Sequence, residues 1–348
     1  METKIYQVNS NIDTAAIQEA AEILRRGGLV VFPTETVYGL GGNATDGEAA
    51  KAIYAAKGRP SDNPLIIHVA SPEDAEPYAV TSDAYYRLAR RFMPGPLTVI
   101  LPKKDTIPLS VTGGLDSVAV RCPAHPVARA LIRAAGVPIA APSANRSGKP
   151  SPTCAAHVIE DLLGRVDMIL DGGDCEVGLE STIVKLEGDS GILLRPGAVT
   201  PDDLKEVLST LTVSKAVTAA LGEGERVLSP GMKYRHYAPS APLTLLEGNE
   251  DAVRAFLVEK AKEVGVGILC FEEEIPLMPK NATLFPVGKS ADLEAQAHRL
   301  FAALRDADNA SNIRQLYAHL PSKTGLGLAL YNRAIRAAAH TVLHVDRT

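Results

Sequence analysis

VVFPTETVYGLGGNATDGEAAKAIYAAKGRPSDNPLIIH, residues 30–68, carries the pattern around which the rest of the chain is read. An apolar, β-prone run at Leu29–Phe32 stops at Pro33. Thr34, Glu35, Thr36 and Tyr38 then bring hydroxyls and one carboxylate into a turn read from Gly39, Gly41 and Gly42. A helix over Glu48–Lys57 ends in Lys57-Gly58-Arg59-Pro60, and Leu65–Val69 reads as a second strand, carrying His68. A strand end, a Gly-rich turn and two cations spaced i, i+2 can seat an anion or phosphate. The competing reading is a buried turn with solvated surface charges. The stretch alone leaves both open.

Working outward, 348 residues suffice for two domains of ordinary size or one large one. With 46% hydrophobic and 22% charged residues, the composition is that of a soluble globular protein with an ample core. A formal net charge of −5 provides no global basic field, so nucleic-acid contact would need a local patch. Four cysteines, Cys122, Cys154, Cys175 and Cys270, form no CxxC pair and have no histidine at zinc spacing. That pattern argues against a disulfide framework or structural zinc and fits reduced thiols in the cytoplasm. The N-terminal residues lack a basic-then-apolar signal layout, and no window nears ~18 apolar residues, so no membrane span is expected.

Ala15–Arg26 sets Ile17, Ala20, Ala21 and Leu24 on one helical stripe, stopped by Gly27-Gly28. Further helices are predicted at Asp83–Phe92, His125–Ala135 and Pro201–Ser209. Strands are predicted at Leu97–Leu101, Ser117–Arg121, Pro138–Ala141, Met168–Leu170, Ser181–Lys185 and Ile192–Leu194. Several of these strands stand too close together for helical crossovers, so the sheet is expected to be mixed. A first domain over residues 1–209 is followed by a linker at 210–242, rich in Gly, Pro, Ser and charge. Tyr234, His236 and Tyr237 beside Lys233 and Arg235 suit a lid that stacks on a base, but the composition fits an inert spacer equally. Beyond it, residues 243–348 alternate strand and helix as a smaller Rossmann-like domain. No GxGxxG marks a dinucleotide site there, so a regulatory or architectural role is expected.

The familiar catalytic motifs are absent. Gly288-Lys289-Ser290 lacks the glycine five residues upstream, where Thr283 stands, and Gly148-Lys149-Pro150 lacks the magnesium-binding hydroxyl. The histidines form no HExxH, and neither Ser143 nor Ser181 sits in GxSxG, so no metal ligands and no triad are assigned. What remains is a distributed set of cations, Lys57, Arg59, Arg121, Arg146, Lys149 and Arg195, with hydroxyls from Thr34, Thr36, Ser143, Ser147, Ser151 and Ser181. Most follow predicted strand ends, the edge at which α/β sheets bind ligands. A pocket for a polyanion is the expected use.

With the motifs taken together, the chain resembles the two-domain form of the threonylcarbamoyl-AMP synthase, or YrdC-like, family. PTETVYGLG (Pro33–Gly41), KGRP (Lys57–Pro60), NPLIIHV (Asn63–Val69) and FMPGPLT (Phe92–Thr98) carry the likeness. So do SVAVRCP (Ser117–Pro123), APSANRSGKPSPT (Ala141–Thr153), ESTIV (Glu180–Val184), LRPG (Leu194–Gly197) and SPGMKYRHYAP (Ser229–Pro239). The resemblance implies a twisted mixed sheet with a deep positive cavity, a Rossmann-like second domain, and a linker folded across the cavity mouth. It implies that L-threonine, bicarbonate and ATP, with Mg2+, give threonylcarbamoyl-AMP and pyrophosphate. That is the first step toward N6-threonylcarbamoyl-adenosine in tRNAs reading codons that start with A.

By the same resemblance, Thr36, His68, Arg121, Ser181 and the backbone of Ala141 would hold threonine. Lys57, Arg59, Asn63, Ser117, Ser143, Asn145, Ser151 and Arg195 would hold ATP, with Tyr234 or Tyr237 closing over it. Lys57 and Arg59 would carry the transition-state charge. Downstream tRNA threonylcarbamoyl-transferase proteins would be partners, and stable nucleic-acid binding would not be required. Two rivals stand beside this: a carbamoyl-adenylate-forming domain, normally accompanied by zinc-type cysteine pairs, and an RNA-binding module without chemistry.

Overall fold

The computed structural model describes residues 2–8, 14–219 and 237–345. They form two compact units, one over 2–147 and 151–217, the other over 237–345 with 148–150 and 218–219. In the first unit the elements are β1 (Lys4–Gln7), α1 (Thr14–Arg25), β2 (Val30–Phe32), β3 (Gly39–Asn43), α2 (Gly47–Lys57), β4 (Ile66–His68), α3 (Asp83–Phe92), β5 (Leu97–Pro102) and α4 (Leu109–Thr112). They continue as β6 (Ser117–Arg121), α5 (Pro126–Ala135), β7 (Ile139–Ala141), α6 (Ala155–Leu162), β8 (Met168–Asp171), β9 (Thr182–Glu187), β10 (Ser190–Arg195), α7 (Pro201–Lys205) and β11 (Thr210–Val213). The second unit holds β12 (Leu243–Gly248), α8 (Glu250–Lys260), β13 (Val266–Cys270), β14 (Thr283–Pro286), α9 (Leu293–Asn309), β15 (Gln315–His319), α10 (Gly327–Ala337) and β16 (Val342–Val345).

The first sheet runs β1-β8-β2-β3-β7-β4-β6-β5-β9-β10-β11. It is mixed, as the short connections require: β4 and β6 pair parallel, while β7 meets β4, and β5 meets β6, antiparallel. The α1 stripe of Ile17, Ala20, Ala21 and Leu24 is buried in one cluster with Leu131 and Ile132 of α5 and Phe32, Ile139 and Leu170 of the sheet. Helix α2 starts where the Asp46 carboxylate accepts from the Glu48 N–H, and it stops at Gly58, whose φ of 64° is left-handed.

Three sequence readings change. Gly39, Gly41 and Gly42 form a strand instead of a turn, antiparallel to β2. Their glycines answer a packing demand: a Cβ on Gly41 would sit 2.7 Å from Ile139 and 2.8 Å from the Phe32 ring. The helix read as Pro201–Ser209 ends at Lys205. Thr210–Val213, read as the start of the linker, is a strand parallel to β10 at the sheet edge, mostly exposed and therefore without an apolar signature.

The second sheet is wholly parallel, in the order β14-β13-β15-β12-β16. Helix α8 covers one face through Val253 and Leu257 against Leu246, Ile268 and Cys270. Leu245 and Leu269, one residue out of step, face α9 and α10. Among the described residues no helix is long and apolar enough to cross a membrane.

Candidate active site

Strand register gathers the side chains assigned to threonine. His68 of β4 stands opposite Arg121 of β6, and Arg121 opposite Thr98 of β5, so the three share one face on adjacent strands. Thr98 Oγ1 lies 2.7 Å from Ser181 Oγ, and Arg195 donates to Ser181 from Nε (2.9 Å, carbonyl) and Nη2 (3.0 Å, hydroxyl). The result is a buried polar row from His68 to Arg195.

The loop after β2 closes on this row. Thr34 donates its hydroxyl to the Val37 carbonyl at 2.6 Å and accepts from the N–H groups of Thr36 and Val37. The Thr36 hydroxyl, 2.9 Å from that of Thr34, is therefore the donor between the two. Arg121 Nη2 donates to Glu35 Oε1 at 2.7 Å, and Glu35 Oε2 accepts from the Ala124 N–H at 3.0 Å. Both side chains of that ion pair are buried. Arg121 Nε is buried with no protein acceptor among the described residues. A buried guanidinium N–H without an acceptor marks a place for a ligand or water.

His68 is held by an Nδ1 contact of 3.2 Å to the Ile139 carbonyl and an edge-on Phe32 ring. A carbonyl cannot donate, so Nδ1 carries the hydrogen and Nε2 is left as an acceptor. Burial, reinforced by the nearby Arg121 charge, pushes this imidazole down from its ordinary 6.5 to about 3. Between those values the unfolded chain binds a proton that the folded one refuses, so stability rises with pH across that window. At pH 5 the deficit is about 2 kcal/mol relative to pH 8. His68→Asn should flatten the acid side of a stability–pH profile from urea unfolding; an unchanged slope would remove His68 as its source.

Most of the residues assigned to ATP, though not Ser151 or Arg195, collect around the start of β6. Ser117 lies four residues, ~13 Å, before Arg121 along the strand. The parallel β4–β6 register brings Asn63 and Pro64 toward that end, and β7, antiparallel to β4, leads out toward Ser143 and Asn145 there. Arg59 donates to the Asn63 carbonyl (3.3 Å) and the Pro64 carbonyl (3.1 Å). Asn63 Oδ1 is buried with no donor among the described residues. The buried Lys57 ammonium donates to the carbonyls of Ser143 and Asn145, and Ser143 Oγ donates to Asn145 Oδ1 at 2.5 Å. Ser151 donates to Glu180 Oε1 at 2.5 Å. The loop 33–38 joins the two groups, since Ala144 N–H donates to the Tyr38 carbonyl while Glu35 holds Arg121.

Of the remaining cations, Arg146 is exposed, and Arg195 belongs to the His68–Arg121 row instead of the Ser117 end. Tyr237 packs its ring on Phe301, centroids 5.0 Å apart, beside the Arg333 guanidinium of the same unit. Tyr234, and the 220–236 portion of the 210–242 segment read as a lid, lie outside the described residues. Sequence reasoning gave no role to Glu35, Thr98 or Glu180, which orient Arg121, Ser181 and Ser151. Glu35 stands inside the most distinctive motif, so the signal was present; Thr98 looks in sequence like any other residue of a buried strand.

Buried cations and hydroxyls ranged along a mixed sheet, with a separate parallel α/β unit behind them in sequence, define a two-unit α/β protein with a buried, cation-rich polar site. Residues 22–197 match the Sua5/YciO/YrdC family model, described as telomere recombination, and 199–339 match the threonylcarbamoyl-AMP synthase C-terminal domain. The chain is 44% identical over 353 residues to the threonylcarbamoyl-AMP synthase of Pyrococcus abyssi, covering 99% of this chain and 100% of that one. It is 45% identical to the Bacillus subtilis protein of the same name, covering 94% of each. Its structure matches that of P. abyssi Sua5 complexed with L-threonine, with a TM-score of 0.91, 43% identity and coverage of 99% and 100%. The chain belongs to the threonylcarbamoyl-AMP synthase family.

Proposed function

We propose that the chain is an L-threonylcarbamoyladenylate synthase. It joins L-threonine, bicarbonate and ATP into threonylcarbamoyl-AMP and pyrophosphate, as a nucleotidyltransferase of tRNA modification acting in the cytoplasm. The observation that carries this reading is the buried row of His68, Arg121, Ser181 and Arg195, in a chain aligned end to end with synthases of that name. A solved relative at 43% identity binds L-threonine.

The chemistry is a meeting of two anions. The threonine amine takes up carbon dioxide from bicarbonate as a carbamate, a carbamate oxygen attacks the α-phosphorus, and the bond to pyrophosphate breaks. Repulsion between carbamate and triphosphate would oppose contact in a low-dielectric site unless fixed cations offset it. Positioning and electrostatics can then carry the rate with no covalent nucleophile.

Arg121 receives the threonine carboxylate, because a guanidinium already braced by Glu35 offers a fixed fork. His68, neutral, accepts from threonine at Nε2, while Thr36, Ser181 and the Ala141 backbone complete its seat. Lys57, Arg59, Asn63, Ser117, Ser143, Asn145, Ser151 and Arg195 hold the nucleotide, with Arg195 at the junction with threonine. Tyr234 or Tyr237 is the candidate for closing over the base.

Among the described residues no group of three or more His, Cys, Asp or Glu could hold a metal ion. Magnesium would come with the triphosphate and offset part of its charge, beside the cations Lys57 and Arg59. The product is a mixed anhydride, which has to pass to an acyltransferase acting on a tRNA adenosine. Incubation of the protein with the three substrates should yield the mass of threonylcarbamoyl-AMP, together with ATP–pyrophosphate exchange that needs both threonine and bicarbonate. A gel shift with tRNA in the absence of exchange would instead favour an RNA-binding module.

A further inference from the structure

The second unit contains a cavity of about 420 Å³ that the adenylate chemistry leaves unused. Its volume falls within the ~300–1,000 Å³ range of small-molecule sites. From β13 the chain proceeds to β14 on one side of the sheet order, and from β15 it proceeds to β16 on the other. The connections leaving Cys270 and His319 therefore diverge, and the cavity opens at that divergence, where parallel α/β sheets hold their ligands. Leu245, Leu269, Leu300 and Leu330 form its apolar walls.

The polar equipment is sparse and fixed. Glu274, buried, accepts from the Phe271 N–H at 2.9 Å and stands 2.8 Å from His319 Nε2. One carboxylate thus sets both halves of a stack in which the Phe271 and His319 rings lie 4.5 Å apart and nearly parallel. Gln296, also buried, uses its amide nitrogen on the carbonyls of Lys289 (2.8 Å) and Ser290 (3.0 Å). Its side-chain oxygen is then the group to offer a ligand. Among the described residues, the lining contains no Lys, Arg, Asp or Glu. A phosphate or carboxylate would enter without a counter-charge, which a low-dielectric wall penalises heavily.

We propose that this cavity binds a neutral, flat, mostly apolar ring compound that donates one N–H or O–H to Gln296 and lies beside the Phe271–His319 stack. The inference is independent of adenylate formation, and its test requires no turnover. Indole is the probe: it is neutral and planar, has a single N–H, and is readily followed by fluorescence because the chain contains no tryptophan. Titrated into the full chain, indole should bind saturably with a sub-millimolar Kd and tighter than indene, which has the same shape without the donor. Gln296→Leu should weaken indole at least ~5-fold, the scale of one hydrogen bond, and erase its preference over indene. Ala318→Leu, which fills the cavity from β15, should abolish binding of both while circular dichroism stays native; if it does not fold, the Gln296→Leu comparison decides alone. Absence of saturable indole binding, an indole preference that survives in Gln296→Leu, or displacement of indole by AMP would overturn the proposal.

Discussion

Arg121→Met should leave threonine-dependent adenylate formation at least ~1,000-fold below the starting enzyme and lower stability by about 3–5 kcal/mol. The two effects have separate causes. Loss of the guanidinium takes away a charge-assisted, two-pronged contact to the threonine carboxylate, which uniform charge elsewhere cannot replace. It also strands Glu35, whose carboxylate is buried and paired to Arg121 at 2.7 Å, and an uncompensated buried charge is what makes breaking such a pair costly. The double variant Arg121→Met/Glu35→Gln should recover most of the stability in urea unfolding but none of the activity. Glu35→Gln alone keeps the cation and loosens its aim, so the KM for threonine should rise about tenfold while kcat changes little, a split expected of a positioning residue. A double variant with the original KM for threonine would remove Arg121 from the threonine seat.

The sequence disclosed some of this arrangement and hid the rest for identifiable reasons. Helices with strong stripes and stops were legible: Asp83–Phe92 and the Ser117–Arg121 strand match the structure end to end, because each has apolar periodicity bounded by a breaker or charge. Gly39–Asn43 was misread because glycine is the usual sign of a turn, whereas here it makes room for Phe32 and Ile139. Helix α6 and the edge strands β1, β11 and β16 went unseen; the edges are short and half-exposed, with little hydrophobic contrast. In the candidate site the cations could be named from their motifs, and the family likeness grouped His68, Arg121 and Ser181, but the place of Arg195 could not be read. That Arg195 reaches Ser181 and stands with His68 and Arg121 depends on register across β4, β6, β5, β9 and β10, which no local spacing encodes.

Arg59→Ala should cut adenylate formation at least ~100-fold, the scale of one lost charge-stabilising donor, with the fold intact. Arg59 is only half-buried, and it donates to the Asn63 and Pro64 carbonyls just ahead of β4. Those two bonds fix the guanidinium plane at the edge where Ser117 and Asn63 also lie. A cation set there in advance loses little by reorganising when charge builds on the leaving pyrophosphate. The same bonds also steady the Asn63 turn, so a rate loss could reflect a displaced loop as well as a missing charge. Two further measurements separate these causes. Arg59→Lys retains charge without the fork and should remain at least ~10-fold impaired, since a lysine cannot reproduce the planar two-carbonyl anchor. Guanidinium added to Arg59→Ala should restore part of the rate in a saturable manner if the charge matters, and none if only the loop does. Turnover by Arg59→Ala at the unmodified rate would strip Arg59 of any part in the chemistry and shift the transition-state charge to Lys57 and Arg195.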